Sequence, residues 1–145
     1  MTIKATPTPG KSLINPSDHT LVMIDFQSQM AFATKSIPTE LLRNNAALVA
    51  NAAAGFNVST ILTTVAVDSF SGPMFSEITD AFPGQPLLDR TSMNSWEDAA
   101  VIDEVNRIGK ERIIFAGLDL GLHCRPRRLG DRSGLRRLLH LRRLR

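Results

Sequence analysis

The sequence predicts an α/β fold, a Rossmann-like doubly wound parallel sheet. Three short apolar or β-branched runs, at residues 20–24, 58–64 and 112–116, are typical of buried parallel strands. Segments with helical patterns separate these runs, so that strand and helix alternate along the chain. Three clear strands are few for a sheet of this kind, and we therefore expect an incomplete sheet.

The predicted helices have recognisable ends. Pro38 suits the first turn of a helix, because its missing N–H would have no partner there, and Gly55 ends that helix. A short helix is predicted at residues 74–82. A third helix is predicted at residues 96–108, with Asn94 and its neighbour as the cap.

Charge is distributed unevenly along the chain. Residues 125–145 hold nine arginines and one acid, a net charge of +8, whereas the whole chain carries +3, so residues 1–124 carry −5. We divide the chain into an N-terminal arm rich in Pro, Thr and Ser (1–18), an α/β domain (19–124) and an arginine-rich tail (125–145). The length and the 43% of hydrophobic residues suit one globular domain.

Several classes of protein are not expected. No stretch approaches the roughly 20 apolar residues of a membrane-spanning helix, and residues 1–7 lack the apolar core of a signal peptide. A single cysteine, Cys124, cannot form an internal disulfide or a multi-cysteine zinc site. No phosphate-binding glycine motif and no metal-ligand spacing occurs. We expect a cytoplasmic protein with no cofactor, no metal and no membrane partner.

Two charged residues are candidates for a catalytic site. Asp25 directly follows the first predicted strand, at the sheet edge where α/β proteins place their chemistry, and burial there suits a general base. It could instead be a turn or helix-capping acid. Arg90 could stabilise developing negative charge. It could equally be a surface arginine paired with Asp89 or Glu97.

Cys124 is the candidate nucleophile, since it follows a strand and a glycine turn where backbone N–H groups could hold an oxyanion. A lone cysteine is also often a small buried hydrophobe. The loop at residues 69–73, which contains Phe70, could line a pocket or be only a loop. Trp96 is interpreted as core or pocket wall.

These residues fall within strings that resemble the isochorismatase-like cysteine hydrolases, in particular their YcaC-type branch. The strings are LVMIDFQ at 21–27, TILTT at 60–64, SFSGP at 69–73, RTSMNSWED at 90–98 and IIFAGL at 113–118. They occur in the family's order and spacing, from about Asp18 to Leu118. The resemblance implies about six parallel strands, a size usual for such sheets, and homo-oligomers.

The resemblance also implies a hydrolase that cleaves the C–N bond of a small amide-type substrate with an Asp–Arg/Lys–Cys triad. By motif, Asp25 would be the base, Arg90 the cation and Cys124 the nearest available nucleophile. The residues implied on the substrate side are Gln27, Phe70 and Trp96.

The chain departs from the family after Leu118. The family text there is roughly W-T-x-V-C, which places the nucleophile at position 123, whereas this chain has His123 and carries Cys124 one place late. We hypothesise a shifted reading frame. One possible encoding of residues 118–126, read one base later, gives W-T-S-V-C-I-A-G, and out-of-frame reading of GC-rich DNA would explain the arginines. The nucleotide sequence around codon 118 tests this.

Two other functions stay open at this point. The chain could be an inactive, truncated family member that acts only by self-association. Its tail could also bind nucleic acid, because leucines among the arginines form a basic amphipathic pattern, although no aromatic residue is present there for base stacking. We do not expect nucleic acid as a partner.

Overall fold

The computed structural model describes residues 13–118 and the strand Leu138–Leu139. The described residues form a five-stranded parallel sheet in the order β3-β2-β1-β4-β5. The strands are β1 (His19–Ile24), β2 (Ser59–Val65), β3 (Leu87–Arg90), β4 (Arg112–Gly117) and β5 (Leu138–Leu139). The α-helices are α1 (Ser28–Ala31), α2 (Thr39–Gly55), α3 (Ser76–Thr79) and α4 (Ala99–Ile108).

The strand β1 lies at the centre of this sheet and separates two hydrophobic cores. All six of its residues are buried. Because side chains alternate along a strand, Leu21 and Met23 join the core that contains residues of α2 and α3. Val22 and Ile24 join the core on the other side, with Val105 of α4. Helices therefore cover both faces, and the predicted doubly wound α/β class is confirmed.

The helix α2 begins and ends where the sequence predicts. Pro38 is its N-cap, and its last residue is Gly55. The side chains that it buries are all alanines, at positions 46, 50 and 53, so the helix can lie close to the sheet. Arg43 of α2 binds both carboxylate oxygens of Glu77 in α3, with N–O distances of 2.8 Å.

Two helix predictions need correction. The predicted helix at 96–108 is interrupted, because Asp98 is extended (φ −92°, ψ 123°) between a 3₁₀ turn at Ser95–Glu97 and α4. Asp98 caps α4 by accepting a hydrogen bond from the N–H of Val101, whereas Asn94 caps only the 3₁₀ turn. The short helix predicted at 74–82 covers only Ser76–Thr79.

Two strands lie beyond the three that the sequence predicts. Leu87–Arg90 (β3) contains no β-branched or aromatic residue and is half exposed, so neither propensity nor burial indicates it. Leu138–Leu139 (β5) pairs in parallel with Ile113 and Ile114 of β4. The prediction of only three clear strands is thus an underestimate.

The described end of the N-terminal arm is fixed to the start of β4. Arg112 donates to the carbonyl oxygen of Leu13 and to the carboxylate of Asp18, at 2.8 and 3.0 Å. Lys110 donates to the carbonyl oxygen of Ser17 at 2.6 Å. Across the described ranges, no helix has the length and apolarity that a membrane crossing requires.

Candidate active site

The candidate site lies at the carboxyl edge of the sheet, where β1, β2 and β3 end side by side. Ile24 pairs with Thr63 of β2, and Val65 of β2 pairs with Arg90 of β3. Asp25 is the next residue after β1. Parallel pairing therefore brings Asp25 and Arg90 to one edge, on either side of β2.

Asp25 and Arg90 form a buried ion pair. Each residue is only 1% exposed, and Nη2 of Arg90 donates a hydrogen bond to Oδ2 of Asp25. Nε of Arg90 donates to Oγ1 of Thr63 at 3.1 Å, and Nη1 donates to the carbonyl oxygen of Ser92 at 2.8 Å. The guanidinium is thereby fixed in its plane, and each buried charge compensates the other.

The backbone at Asp25 is unusual for a residue with a side chain. Its φ is 54°, in the left-handed region. Its N–H donates to the carbonyl oxygen of Thr63 at 3.0 Å and so continues the ladder of β1 with β2. Its own carbonyl oxygen accepts from the N–H of Gln27 at 2.8 Å. Such a conformation costs free energy and persists where surrounding bonds enforce it, often at functional sites.

Gln27 is completely buried, and main-chain groups bind its side-chain amide. Its Oε1 accepts from the N–H of Val65 at 2.9 Å, and its Nε2 donates to the carbonyl oxygens of Val65 and Gly72 at 3.1 and 2.6 Å. Gln27 therefore holds both ends of the loop that joins β2 to the next segment. These contacts give it a positioning role in the structure, whatever it contributes to substrate binding.

That loop carries Phe70 and has an irregular backbone. It contains a π-helical turn at Val67–Ser71, preceded by Ala66 in the left-handed region with φ 48°. Oδ1 of Asp89 accepts from the hydroxyl of Thr64 at 2.9 Å and from the N–H of Val67 at 3.3 Å. Phe70 is 61% exposed at this turn. Turns of this type are frequent at functional sites.

Trp96 lies on the α4 side of the sheet. Its ring packs edge-to-face against Phe115, with the ring centroids 5.7 Å apart. Its indole Nε1 and the hydroxyl of Ser95 are buried, and neither has a hydrogen-bond partner among the residues that the structure describes. Trp96 thus packs against the core on this side of the sheet, and its place in a substrate pocket stays a prediction.

The sequence reasoning missed the residues that orient Arg90. The hydroxyl of Thr63 and the carbonyl oxygen of Ser92 accept hydrogen bonds from the guanidinium. In the sequence, the only indication of such a contact is the pair Thr63 and Thr64 near the end of β2. The alternative pairing of Arg90 with Asp89 or Glu97 at the surface is wrong, because Arg90 is buried against Asp25. His123 and Cys124 lie outside the described residues.

No other possible catalytic or metal centre stands out among the described residues. A cavity of about 580 Å³ opens near the amino end of β2, lined by Thr60, Gln85, Glu104 and Arg107 among others, and neither Asp25 nor Arg90 borders it. Within the part of the chain that the structure describes, no three His, Cys, Asp or Glu side chains are grouped to hold a metal ion.

Comparison with known proteins gives one curated relative and several related folds. No family model matches the chain. A probable hydrolase, YcaC of Escherichia coli (strain K12), is 27% identical over 106 residues, which are 72% of this chain and 51% of that protein. The chain thus spans about half the length of the curated relative that it matches.

Solved structures agree with this comparison. The crystal structure of Escherichia coli YcaC, described as an octameric hydrolase of unknown specificity, aligns with a TM-score of 0.70 and 28% identity, over 76% of this chain and 54% of that chain. YcaC from Pseudomonas aeruginosa, solved with hexane-2,5-diol and covalent acrylamide, aligns with a TM-score of 0.70 and 27% identity, over 76% and 55% of the two chains.

A more distant structure shares the fold alone. An isochorismatase from Pseudomonas putida aligns with a TM-score of 0.52 and 15% identity, over 72% of this chain and 58% of that chain. Sequence and fold together confirm that this chain resembles the isochorismatase-like proteins and, among them, the YcaC branch.

Proposed function

We propose that this chain carries the carboxylate and guanidinium of a cysteine hydrolase site that acts on the C–N bond of a small amide-type substrate. The observation that carries the proposal is the buried ion pair of Asp25 and Arg90 at the carboxyl edge of the sheet. A buried charge pair is a poor stabilising device compared with apolar packing. Its retention at the edge where α/β proteins place their chemistry therefore supports a functional role.

In the proposed reaction, Cys124 supplies the nucleophile and Asp25 accepts the proton of its thiol. The sulfur attacks the carbonyl carbon of the substrate, the C–N bond breaks, and the amine leaves with that proton. Water then attacks the resulting thioester, which releases the carboxylic acid and restores the thiol. Arg90 holds the carboxylate of Asp25 in place through their hydrogen bond, and backbone N–H groups after β4 would hold the oxyanion.

A second candidate function is a non-catalytic, self-associating protein. The displacement of the family's cysteine from position 123 to Cys124 favours it, since a small misplacement of a nucleophile is costly in catalysis. The octameric state stated for the Escherichia coli relative supports self-association under either candidate. Under both candidates the partner is a second copy of the chain, and under the first it is also a small-molecule substrate.

The thiol can be tested directly, because the chain has one cysteine. The full chain is incubated at pH 7 with acrylamide, a small amide that is bound covalently in the solved Pseudomonas aeruginosa relative, and the adduct is measured by intact mass. If Cys124 is activated by the site, its alkylation is about tenfold or more faster than that of free cysteine. A rate equal to that of free cysteine contradicts the hydrolase proposal and favours the second candidate.

Substitutions then connect the thiol to the ion pair. Asp25→Asn removes the charge while keeping the shape of the side chain, and it should slow alkylation. Asp103→Asn, at an exposed carboxylate on α4, is the matched control and should change nothing. Arg90→Lys keeps a cation and should retain part of the activation. Ammonia release from a panel of small primary amides, with Cys124→Ala as the blank, then tests turnover.

A further inference from the structure

The loop at residues 66–72, here called the Phe70 loop, is tied at both ends to the surroundings of the buried ion pair. At its start, the N–H of Ala66 donates to the carbonyl oxygen of Arg90 at 3.0 Å. At its end, the carbonyl oxygen of Gly72 accepts from the side chain of Gln27, which also binds the main chain of the aspartate in the pair. The exposed Phe70 is therefore carried on a loop that begins and ends beside the candidate site.

The loop that follows β3, at residues 91–94, is held beside the same ion pair. The carbonyl oxygens of Ser92 and Met93 both accept from Nη1 of Arg90, at 2.8 and 3.4 Å. Main-chain atoms make these contacts, and the side chain of Met93 is 51% exposed. Two large apolar side chains, those of Phe70 and Met93, are thus exposed on loops that are bound to one buried arginine. Large apolar side chains around a few polar groups are typical of small-molecule sites.

The charges near these loops disfavour a negatively charged ligand. All three nitrogen atoms of the Arg90 guanidinium donate hydrogen bonds within the protein, and the carboxylate of Asp25 compensates its charge. The two loops contain no lysine or arginine, and their one charged residue is the exposed Asp68. A carboxylate that entered between the loops would therefore lose hydration without gaining a cation from them.

We propose that Phe70 and Met93 bind the part of the substrate that does not react, and that this part is apolar and carries no carboxylate. The substrate class is then an alkyl or aryl carboxamide. The inference rests on the proposed function, because it takes the carboxyl edge of the sheet as the site of an amide, and it adds which amides bind there. Discrimination of this kind combines an attractive surface with a repulsive element, and Asp68 supplies the repulsion.

Binding to the full-length Cys124→Ala variant tests the inference without depending on turnover. Ligand-detected NMR titrations compare benzamide with acetamide and with 4-carboxybenzamide. We expect benzamide to bind about tenfold or more tightly than either of the others. Acetamide has no ring for the loops to contact, and 4-carboxybenzamide brings an uncompensated charge. Binding of benzamide that is no tighter than that of the other two amides would overturn the inference.

Substitutions connect this preference to the two loops. Phe70→Ala and Met93→Ala should each weaken the binding of benzamide about fivefold, because each removes apolar contact area, and should leave that of acetamide unchanged. Phe56→Ala is the matched control, since Phe56 is 69% exposed but lies at the end of α2. All three positions are exposed, so these variants should unfold like the wild type. Alanine variants in the loops that bind benzamide as the control does would contradict the proposal.

A change of charge should reverse the selection. Met93→Arg supplies the cation that the loops lack, and it should strengthen the binding of 4-carboxybenzamide about tenfold. Met93→Leu keeps an apolar side chain of similar size and should leave the preference for benzamide as it is. A Met93→Arg variant that binds 4-carboxybenzamide no better than Met93→Leu does would count against the charge argument.

Failure of this inference can be distinguished from failure of the proposed hydrolase. Rapid alkylation of Cys124 by acrylamide, together with no preference for benzamide, would support the hydrolase and overturn the substrate class. A preference for benzamide together with an unreactive Cys124 would support recognition of apolar amides and overturn the hydrolase.

Discussion

Asp25 and Arg90 are 65 positions apart in the chain and form one buried, hydrogen-bonded ion pair. The pair joins the end of β1 to the end of β3 across β2. Its formation therefore requires two complete strand-to-strand connections to be in place. This makes the pair a sensitive reporter of whether the carboxyl edge of the sheet is correctly assembled.

Removal of one member of this pair should be strongly destabilising. Asp25→Asn leaves the guanidinium of Arg90 buried without a counter-charge, and we expect a loss of about 3–5 kcal/mol in the free energy of unfolding. Asparagine tolerates the left-handed backbone at this position, so the loss in the free energy of unfolding reflects the removal of the charge and not backbone strain. Urea unfolding measures it.

The double variant Asp25→Asn with Arg90→Gln measures how strongly the two charges depend on each other for stability. We expect the double variant to lose less than the sum of the two single losses, because neither charge is then left alone. Single losses that add without coupling would show that the two residues are energetically independent.

Gln27 should control the order of the loop that contains Phe70. Gln27→Glu keeps an acceptor for the N–H of Val65 but removes both donors to the carbonyl oxygens of Val65 and Gly72. Buried acceptors without a donor cost about 1–3 kcal/mol each. Hydrogen exchange should accelerate at residues 65–72 and stay unchanged in α4, and uniform acceleration across the domain would contradict this local role.

The cap of α4 should be measurable on its own. Asp98→Ala removes the acceptor for the N–H of Val101, and such losses cost about 0.5–2 kcal/mol. Asp103→Ala, at an exposed position within the same helix, removes the same charge without a capping bond. Thermal unfolding should show a lower midpoint for the first variant alone, and equal midpoints would mean that the cap contributes nothing.

The link between α2 and α3 should depend on pH. A hydrogen bond from its own backbone N–H and the bidentate contact with Arg43 lower the pKa of Glu77, against the opposing effect of burial. A lowered pKa in the folded state means that the stabilisation is present above about pH 4.3, the unfolded value, and is lost as the pH falls through the folded pKa.

Both side chains of this link are more than one-third exposed, at 37% and 36%, so solvent screens the interaction to roughly 0.5 kcal/mol. Glu77→Gln should therefore lower the unfolding free energy by about that amount at pH 7 and by less as the pH approaches 3. A difference that grows towards acid pH would reverse the predicted sign. Arg43→Met should reproduce the same trend.

The sequence predicts the central strands because a strand that is buried on both faces is composed almost entirely of hydrophobic residues. Residues 20–24 are continuously hydrophobic apart from Thr20, and all are buried. An edge strand is partly exposed and need not contain such a hydrophobic run. The Leu-Leu-Asp-Arg segment of β3 is an edge strand with two exposed residues, so pairing with β2, rather than its own propensity, makes it extended.

The candidate site could be predicted only in part for a related reason. Position after a buried strand indicates Asp25, and the family strings indicate Arg90. Arg90 is oriented by the hydroxyl of Thr63 on the neighbouring strand and by the carbonyl oxygen of Ser92. Such contacts depend on the register of strand pairing and on the path of the loop rather than on residue type. The boundary between the arm and the domain at Asp18, and the place of Cys124, stay predictions.

The central place of β1 has a consequence for synthesis of the protein. This strand is synthesised before both of its neighbours, and one of them, β4, is reached only at Arg112. Until then, an apolar strand has an open edge, and parallel pairing over long separations forms slowly. Nascent chains halted before β4 should therefore need a chaperone, and those halted after Gly117 should need it far less.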